Sequence, residues 1–140
     1  MSEKLTRHDV REGVFLLLFQ NELSGSPVEE LAEACEEAYE MVVTKEMIST
    51  ANAVIAKYGE LDGIIGEFSE TREVQRISRV NKTILRLAIY EMTYSDRIPA
   101  PAAVNEAVEL AKKYADKPDS AFINGILGNY IKRLGKDADK

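Results

Sequence analysis

The sequence is poor in the residues that build disulfides and metal sites, with one cysteine, Cys35, and one histidine, His8, among 140 residues. A single cysteine excludes an internal disulfide, and a single histidine excludes a metal site with several histidine ligands. Little remains for nucleophilic or general-base catalysis beyond carboxylates, lysines and tyrosines. We therefore expect a protein that has no cofactor and is not an enzyme.

Long apolar runs are missing as well, and no signal-peptide pattern opens the chain. A transmembrane helix needs about 20 mostly apolar residues in succession. These two absences predict a cytoplasmic protein without a membrane segment. A chain of this length can bury about two thirds of the surface of its unfolded form. We expect one domain over residues 1–134, followed by a charged, disordered tail over residues 135–140.

The net charge of -6 argues against a nucleic-acid partner, because a phosphate backbone repels an acidic protein. The charge is unevenly distributed, however. Residues 26–70 contain two lysines and eleven acidic residues, whereas residues 71–99 contain six basic and three acidic residues. The asymmetry indicates two surfaces with different partners, or an acidic helix face that is only solvated.

Residues 80–92, VNKTILRLAIYEM, contain a helical pattern whose apolar positions fill most of the circumference. A helix of this kind has to be surrounded by other helices, so we expect it to be the central helix of the fold. Asn81 is expected to be its N-cap. Arg86 lies within this apolar stretch, and its charge needs a carboxylate, for which Glu91, Glu106 and Glu109 are the candidates.

Start and stop signals mark the other helices. Thr6 with Asp9 and Ser26 with Glu29 are expected capping boxes, and Thr44 is expected to open a third helix. The third helix is expected to end at Tyr58, and a glycine-containing helix is expected over 61–68. A basic connector or single helical turn follows over 71–79. The last two helices are expected from Pro101 to Tyr114 and up to Gly135. Period-two alternation is absent over any useful length, which predicts an all-α, compact bundle of six or seven helices.

The start of the first helix contains a basic cluster of Lys4, Arg7, His8 and Arg11 on its exposed side. Arg7 and Arg11 are one turn apart, so both side chains are expected on one face. Two guanidinium groups held in register can bind a phosphate backbone. The alternative is an ordinary solvated helix start.

Three segments of the second half resemble the NusB family: ILRLAIYEM at 84–92, PAPAAVNEAVELAKKY at 99–114 and FINGIL at 122–127. The N-terminal segment RHDVREGVFLLLF at 7–19 agrees more loosely. The resemblance implies a seven-helix domain that binds boxA RNA together with NusE, which is also a small-subunit ribosomal protein. It further implies that the protein helps the RNA polymerase elongation complex through terminators, notably in ribosomal RNA operons.

The resemblance also implies an RNA-binding surface. In the first helix it implies Arg7, Arg11 and His8, and Asp9 falls where basic relatives have another arginine, which predicts a weaker contact. From the central and last helices it implies Asn81, Lys82 and Phe122, of which Phe122 either stacks on an unpaired base or packs in the core. We also expect phosphate contacts from Arg76 and Arg79. Asn124 with Gly125 is either an RNA contact or a tight helix crossing.

Three functions follow from these observations. The first is a non-catalytic adaptor for RNA and protein, of the NusB type. The second is a protein-interaction module of the same fold that does not bind RNA. The third, an RNA methyltransferase, is disfavoured because nothing after the domain could bind a methyl donor. The apolar face of the first helix, with Phe15, Leu16 and Phe19, is either core or the seam of a homodimer.

Overall fold

The computed structural model describes residues 5–70 and 72–138, which form seven α-helices and no strand. The all-α prediction is therefore confirmed. The helices are α1 (Arg7–Ser24), α2 (Val28–Tyr39), α3 (Lys45–Ile55), α4 (Tyr58–Phe68), α5 (Arg79–Tyr94), α6 (Ala100–Tyr114) and α7 (Lys117–Ala138), with a short 3-10 turn at Val74–Arg76. They divide into two compact units, the first ending at Ala56 and the second beginning at Lys57. That residues 1–134 behave as one domain stays a prediction.

In the first unit, α1 begins with the expected capping box. The Asp9 backbone N–H donates to Thr6 Oγ1 at 3.0 Å, and the Thr6 backbone N–H donates to Asp9 Oδ2 at the same distance. Helix α1 ends at Gly25, whose positive φ of 75° suits the left-handed position after a helix. Phe15 and Leu16 are buried and Phe19 is half-buried, so the apolar face of α1 is largely core.

The second expected capping box is wrong. Pro27, not Ser26, precedes the first residue of α2, and no side chain caps that helix. Glu29, the acidic residue of the expected box, instead accepts from Asn52 Nδ2 through Oε1, and the Ser26 backbone carbonyl accepts from Asn21 Nδ2 at 2.8 Å. Thr44 does cap α3, since its Oγ1 accepts from the backbone N–H of Met47 at 3.1 Å.

Helix boundaries differ from expectation at two further places. Helix α3 ends at Ile55, and Tyr58 already begins α4, so the predicted single helix up to Tyr58 is wrong. Helix α7 continues to Ala138 where an end at Gly135 was predicted. A glycine inside a helix costs only about 1 kcal/mol relative to alanine, which a long helix tolerates. Of the predicted disordered tail, residues 135–138 thus belong to α7, and residues 139–140 lie outside the described part.

In the second unit, α5 packs against α4, α6 and α7, as its apolar pattern predicts. Ile84, Leu85 and Ile89 are completely buried. The N-cap is Ser78, whose Oγ accepts from the backbone N–H of Asn81 at 3.2 Å. The prediction of Asn81 as N-cap is therefore wrong, because the helix begins three residues earlier than that cap would place it and Ser78 is an equally good cap.

Arg86 forms a two-pronged ion pair within the second unit. Its Nε donates to Asp62 Oδ1 at 2.7 Å, and its Nη2 donates to Asp62 Oδ2 at 2.8 Å. The guanidinium also lies over the ring of Tyr58, with Cζ 3.9 Å from the ring centroid. Both partners belong to α4, so the carboxylate of this ion pair is not one of the three glutamates proposed from the sequence. Arg86 thereby joins α5 to α4.

No helix in residues 5–70 and 72–138 has the length and apolar character needed to cross a membrane. Within the same ranges, no group of three or more His, Cys, Asp or Glu side chains is placed to hold a metal ion.

The ion pair between α4 and α5 leads to a stability prediction. Asp62→Asn should lower the free energy of unfolding by about 1–3 kcal/mol, because it removes the carboxylate that binds both Nε and Nη2 of the nearly buried Arg86 guanidinium. Glu109→Gln is the control: it also removes one carboxylate of the same unit, but from an exposed pair with Lys112. Its effect should stay within about 0.5 kcal/mol. Equal losses in equilibrium urea unfolding would contradict the role given to Asp62.

Candidate nucleic-acid interface

A hydrogen bond joins the starts of two helices in the second unit. Asn81 in the first turn of α5 donates through Nδ2 to Asp119 Oδ1 at 2.8 Å. The other carboxylate oxygen of Asp119 accepts from the backbone N–H of Asp116 at 3.1 Å, at the start of α7. The Asp119 carboxylate therefore caps its own helix and holds α5 beside it. Residues near the two helix starts are brought to the same end of this unit.

Asn81 is fully buried, although it was predicted as an RNA contact. Its Oδ1 has no hydrogen-bond partner among the described residues. A buried side chain that is bonded to Asp119 is suited to holding the helix starts in position. Direct contact of Asn81 with RNA stays a prediction that this burial disfavours.

Phe122 follows Asp119 by one turn of α7 and is half-buried. The guanidinium of Arg72 covers its ring, with Cζ 4.3 Å from the ring centroid. This distance is within the range of a cation–π contact, which extends to about 6 Å. Phe122 is thus neither a pure core residue nor a bare aromatic surface. Its role as a base-stacking residue stays a prediction.

Three basic residues predicted for the interface lie just before α5 or in its first turn. Arg76 ends the 3-10 turn, Arg79 is the first residue of α5, and both are exposed. Lys82 is half-buried. The first turn of a helix also carries positive partial charge, so an anion is favoured here by both the side chains and the backbone.

Asn124 and Gly125 are both exposed on α7. A Cβ added at Gly125 would meet no atom within 4 Å. The alternative of a tight helix crossing at this glycine is therefore wrong, because a crossing would place a neighbouring helix in that space. The other alternative, an RNA contact of the exposed Asn124, stays a prediction.

The basic cluster of α1 is only partly exposed. Arg7 and His8 are exposed, Arg11 is 8% exposed, and Lys4 lies outside the described residues. The expectation that Arg11 shares an exposed face with Arg7 is wrong. Position 11 lies one turn before the fully buried Phe15, so Arg11 belongs to the inward stripe of the helix.

Two carboxylates reduce the positive charge at the start of α1. Glu46 of α3 accepts from Arg7 Nη1 at 2.9 Å, in a pair whose two side chains are about half-exposed or more. Asp9 is a second carboxylate at this helix start, and the hydrogen bond from the Thr6 backbone N–H lowers the pKa of its carboxyl below the usual value. The N-terminal cluster therefore offers an RNA backbone less positive charge than its sequence indicates.

Arg72 is a residue of this region that the sequence did not single out as a contact. It was counted only as part of the basic connector over 71–79. A cation–π contact depends on two residues that meet through the fold, and no local spacing links Arg72 to Phe122. The signal that was available is the excess of basic residues in that connector.

The sequence is similar to those of known proteins over nearly its whole length. The family model described as the NusB family matches residues 8–132. The transcription antitermination protein NusB of Acetivibrio thermocellus is 40% identical over 95% of this chain and 93% of its own length. The protein of the same name from Agathobacter rectalis is 36% identical over 90% of this chain and 99% of its own length.

Solved structures agree with the sequence comparison. The structure of T. maritima NusB has a TM-score of 0.80 and 30% identity, and the match covers 93% of both chains. A crystal structure of the antitermination factors NusB and NusE in complex with dsRNA contains a chain with a TM-score of 0.79 and 25% identity, covering 91% of this chain and 96% of that one. From its helices, its sequence and these matches, the chain belongs to the NusB family.

Proposed function

We propose that this chain is a non-catalytic transcription antitermination factor that binds boxA-type single-stranded RNA together with NusE. The observation that carries the proposal is the hydrogen bond from Asn81 to Asp119, which joins the start of α5 to the start of α7. It gathers exposed arginines and a half-buried phenylalanine at one end of the second unit. The names of the NusB relatives, and the complex of NusB and NusE with dsRNA, support both partners.

The two kinds of side chain at this end have different roles in the proposal. Arg76 and Arg79 contact phosphates, which contributes affinity and salt dependence without reading sequence. Phe122 is the aromatic side chain of the contact with an unpaired base, and such a contact is worth about 1–3 kcal/mol. Lys82 and Asn124 add polar contacts. In the first unit Arg7 and His8 supply a weaker phosphate contact.

The wider setting belongs to the same proposal. The RNA-bound protein acts on the RNA polymerase elongation complex in the cytoplasm and supports transcription of ribosomal RNA operons. Phe15 and Leu16, which were weighed as part of a dimer seam, are buried within the chain, so the proposal requires no homodimer.

A protein-interaction module without RNA binding is the second candidate. The observation in its favour is the outer face of α2, where six exposed glutamates form an acidic surface: Glu29, Glu30, Glu33, Glu36, Glu37 and Glu40. A basic protein is the partner that such a surface suits. This candidate predicts capture of NusE with no binding of RNA at any salt concentration.

The adaptor proposal predicts a salt-dependent RNA affinity that has contributions from single arginines. Labelled boxA RNA, titrated with the full chain in fluorescence anisotropy, should bind more tightly when NusE is present. Arg76→Ala and Arg79→Ala should each weaken binding about two- to fivefold and reduce the slope of log K against log salt by about 0.7. Arg97→Ala, which removes an exposed arginine elsewhere in the second unit, should leave the slope unchanged.

Two results decide between the candidates. Binding of RNA by the folded chain with NusE, with a slope that falls in both arginine variants, supports the adaptor. A folded chain that captures NusE but gives no anisotropy change with RNA, even at low salt, leaves only the protein-interaction module. A double-stranded RNA of equal length, measured in parallel, shows whether the unpaired form is preferred.

The ion pair at the start of α1 leads to a further prediction. Glu46→Gln should tighten RNA binding about two- to fivefold, because Arg7 then no longer has to break an ion pair with Glu46 to bind a phosphate. Glu30→Gln makes the same change of net charge at another exposed glutamate of the first unit, and it should have a smaller effect. The same anisotropy titration measures both. Equal gains from the two variants would show that only net charge matters.

A further inference from the structure

The backbone of Arg72 is hydrogen-bonded to the residue that follows α4. Ser69 is the residue that ends α4, and its Oγ donates to the Arg72 carbonyl at 2.6 Å. The 3-10 turn that follows is packed on α4 as well, since a Cβ added at Gly66 would lie 3.3 Å from Val74 Cγ2. Arg72 therefore extends from an anchored segment, and its guanidinium is already in place over the ring.

The covering group changes what an arriving nucleobase meets. A guanidinium whose Cζ is 4.3 Å from the ring centroid leaves no room for a base between itself and Phe122. Arg72 is an exposed residue, so this covering group is itself open to solvent. Guanidinium planes stack on bases as aromatic rings do, and they also carry a charge. The base would therefore meet Arg72 before it meets Phe122.

We propose that Arg72 is an RNA-binding residue of this chain, whose guanidinium, supported by the ring of Phe122, forms the platform on which an unpaired nucleobase stacks. The proposal rests on the proposed RNA-binding function and names a residue and a geometry for its base contact. Because the Arg72 guanidinium already lies over the Phe122 ring without RNA, RNA binding needs less ordering of this side chain. Phe122 then acts mainly through Arg72.

A double-mutant cycle tests this arrangement with the full chain, NusE and labelled boxA RNA. Arg72→Ala should weaken binding about five- to tenfold, and Phe122→Ala by a similar factor. The double variant should be little weaker than either single variant, because the two side chains form one platform. Arg72→Lys keeps the charge but not the planar group, so it should retain the salt dependence of the wild type and lose most of the affinity gained from stacking. Arg97→Ala is the control for the loss of one positive charge.

Abasic RNA distinguishes a base contact of Arg72 from a merely structural role. A structural role would not link the effect of Arg72→Ala to one particular base. Removing one base at a time from boxA RNA should identify a position that weakens binding to the wild-type chain. The same removal should have no effect on Arg72→Ala, because that base has already lost its platform.

The outcomes separate this inference from the proposed function. If the wild-type chain binds no RNA with NusE, the proposed function fails and this inference fails with it. If the chain binds RNA but Arg72→Ala matches Arg97→Ala, only the platform is refuted. Additive losses in the double variant would show two separate contacts. Tighter binding by Arg72→Ala would show that Arg72 blocks Phe122, which also overturns the platform.

Discussion

The hydrogen bond between Asn81 and Asp119 is the interaction on which the candidate interface depends. It connects the first turn of α5 to the first turn of α7, with the donor fully buried and the acceptor also capping α7. A hydrogen bond to a carboxylate contributes about 1.5–3 kcal/mol, and here it also orients two helices. The exposed arginines before α5 and the aromatic ring in α7 become neighbours through this contact.

The surrounding packing makes that contact rigid. Helix α5 is enclosed by α4, α6 and α7, and the pair of Arg86 with Asp62 sets its position against α4. A buried arginine of this sort is structural, whereas Arg76 and Arg79 are exposed. The proposed function assigns recognition to these exposed arginines and stability to Arg86. An acidic chain with a net charge of -6 can bind RNA in this way, because phosphates respond to the local charge.

Local signals in the sequence predicted much of the fold. The capping box of Thr6 and the cap at Thr44 depend on residues three positions apart, and both are present. The errors arise where several local solutions compete or where the partner is distant. Ser78 and Asn81 are both good caps, and helical periodicity does not decide between them. The choice of Asp62 as partner of Arg86 follows from how α4 packs on α5.

The candidate interface was harder to predict than the helices. Spacing placed Arg7 and Arg11 one turn apart, but the side that faces the core depends on the apolar stripe that continues to Phe15. The contact of Arg72 with Phe122 and the pairing of Arg7 with Glu46 join residues far apart in the chain. Such contacts exist only after folding, and a single sequence contains no pattern that reveals them.

Binding of RNA where α5 and α7 begin can be observed residue by residue. The experiment is two-dimensional ¹H–¹⁵N NMR of the full chain, recorded while boxA RNA is added in the presence of unlabelled NusE. The spectrum of the complex with NusE alone is the reference. We expect the backbone amide signals of residues 72–82 and 119–124 to shift together as RNA is added, whereas those of α2 stay in place. Shifts that avoid both segments, or that gather on α2, would contradict it.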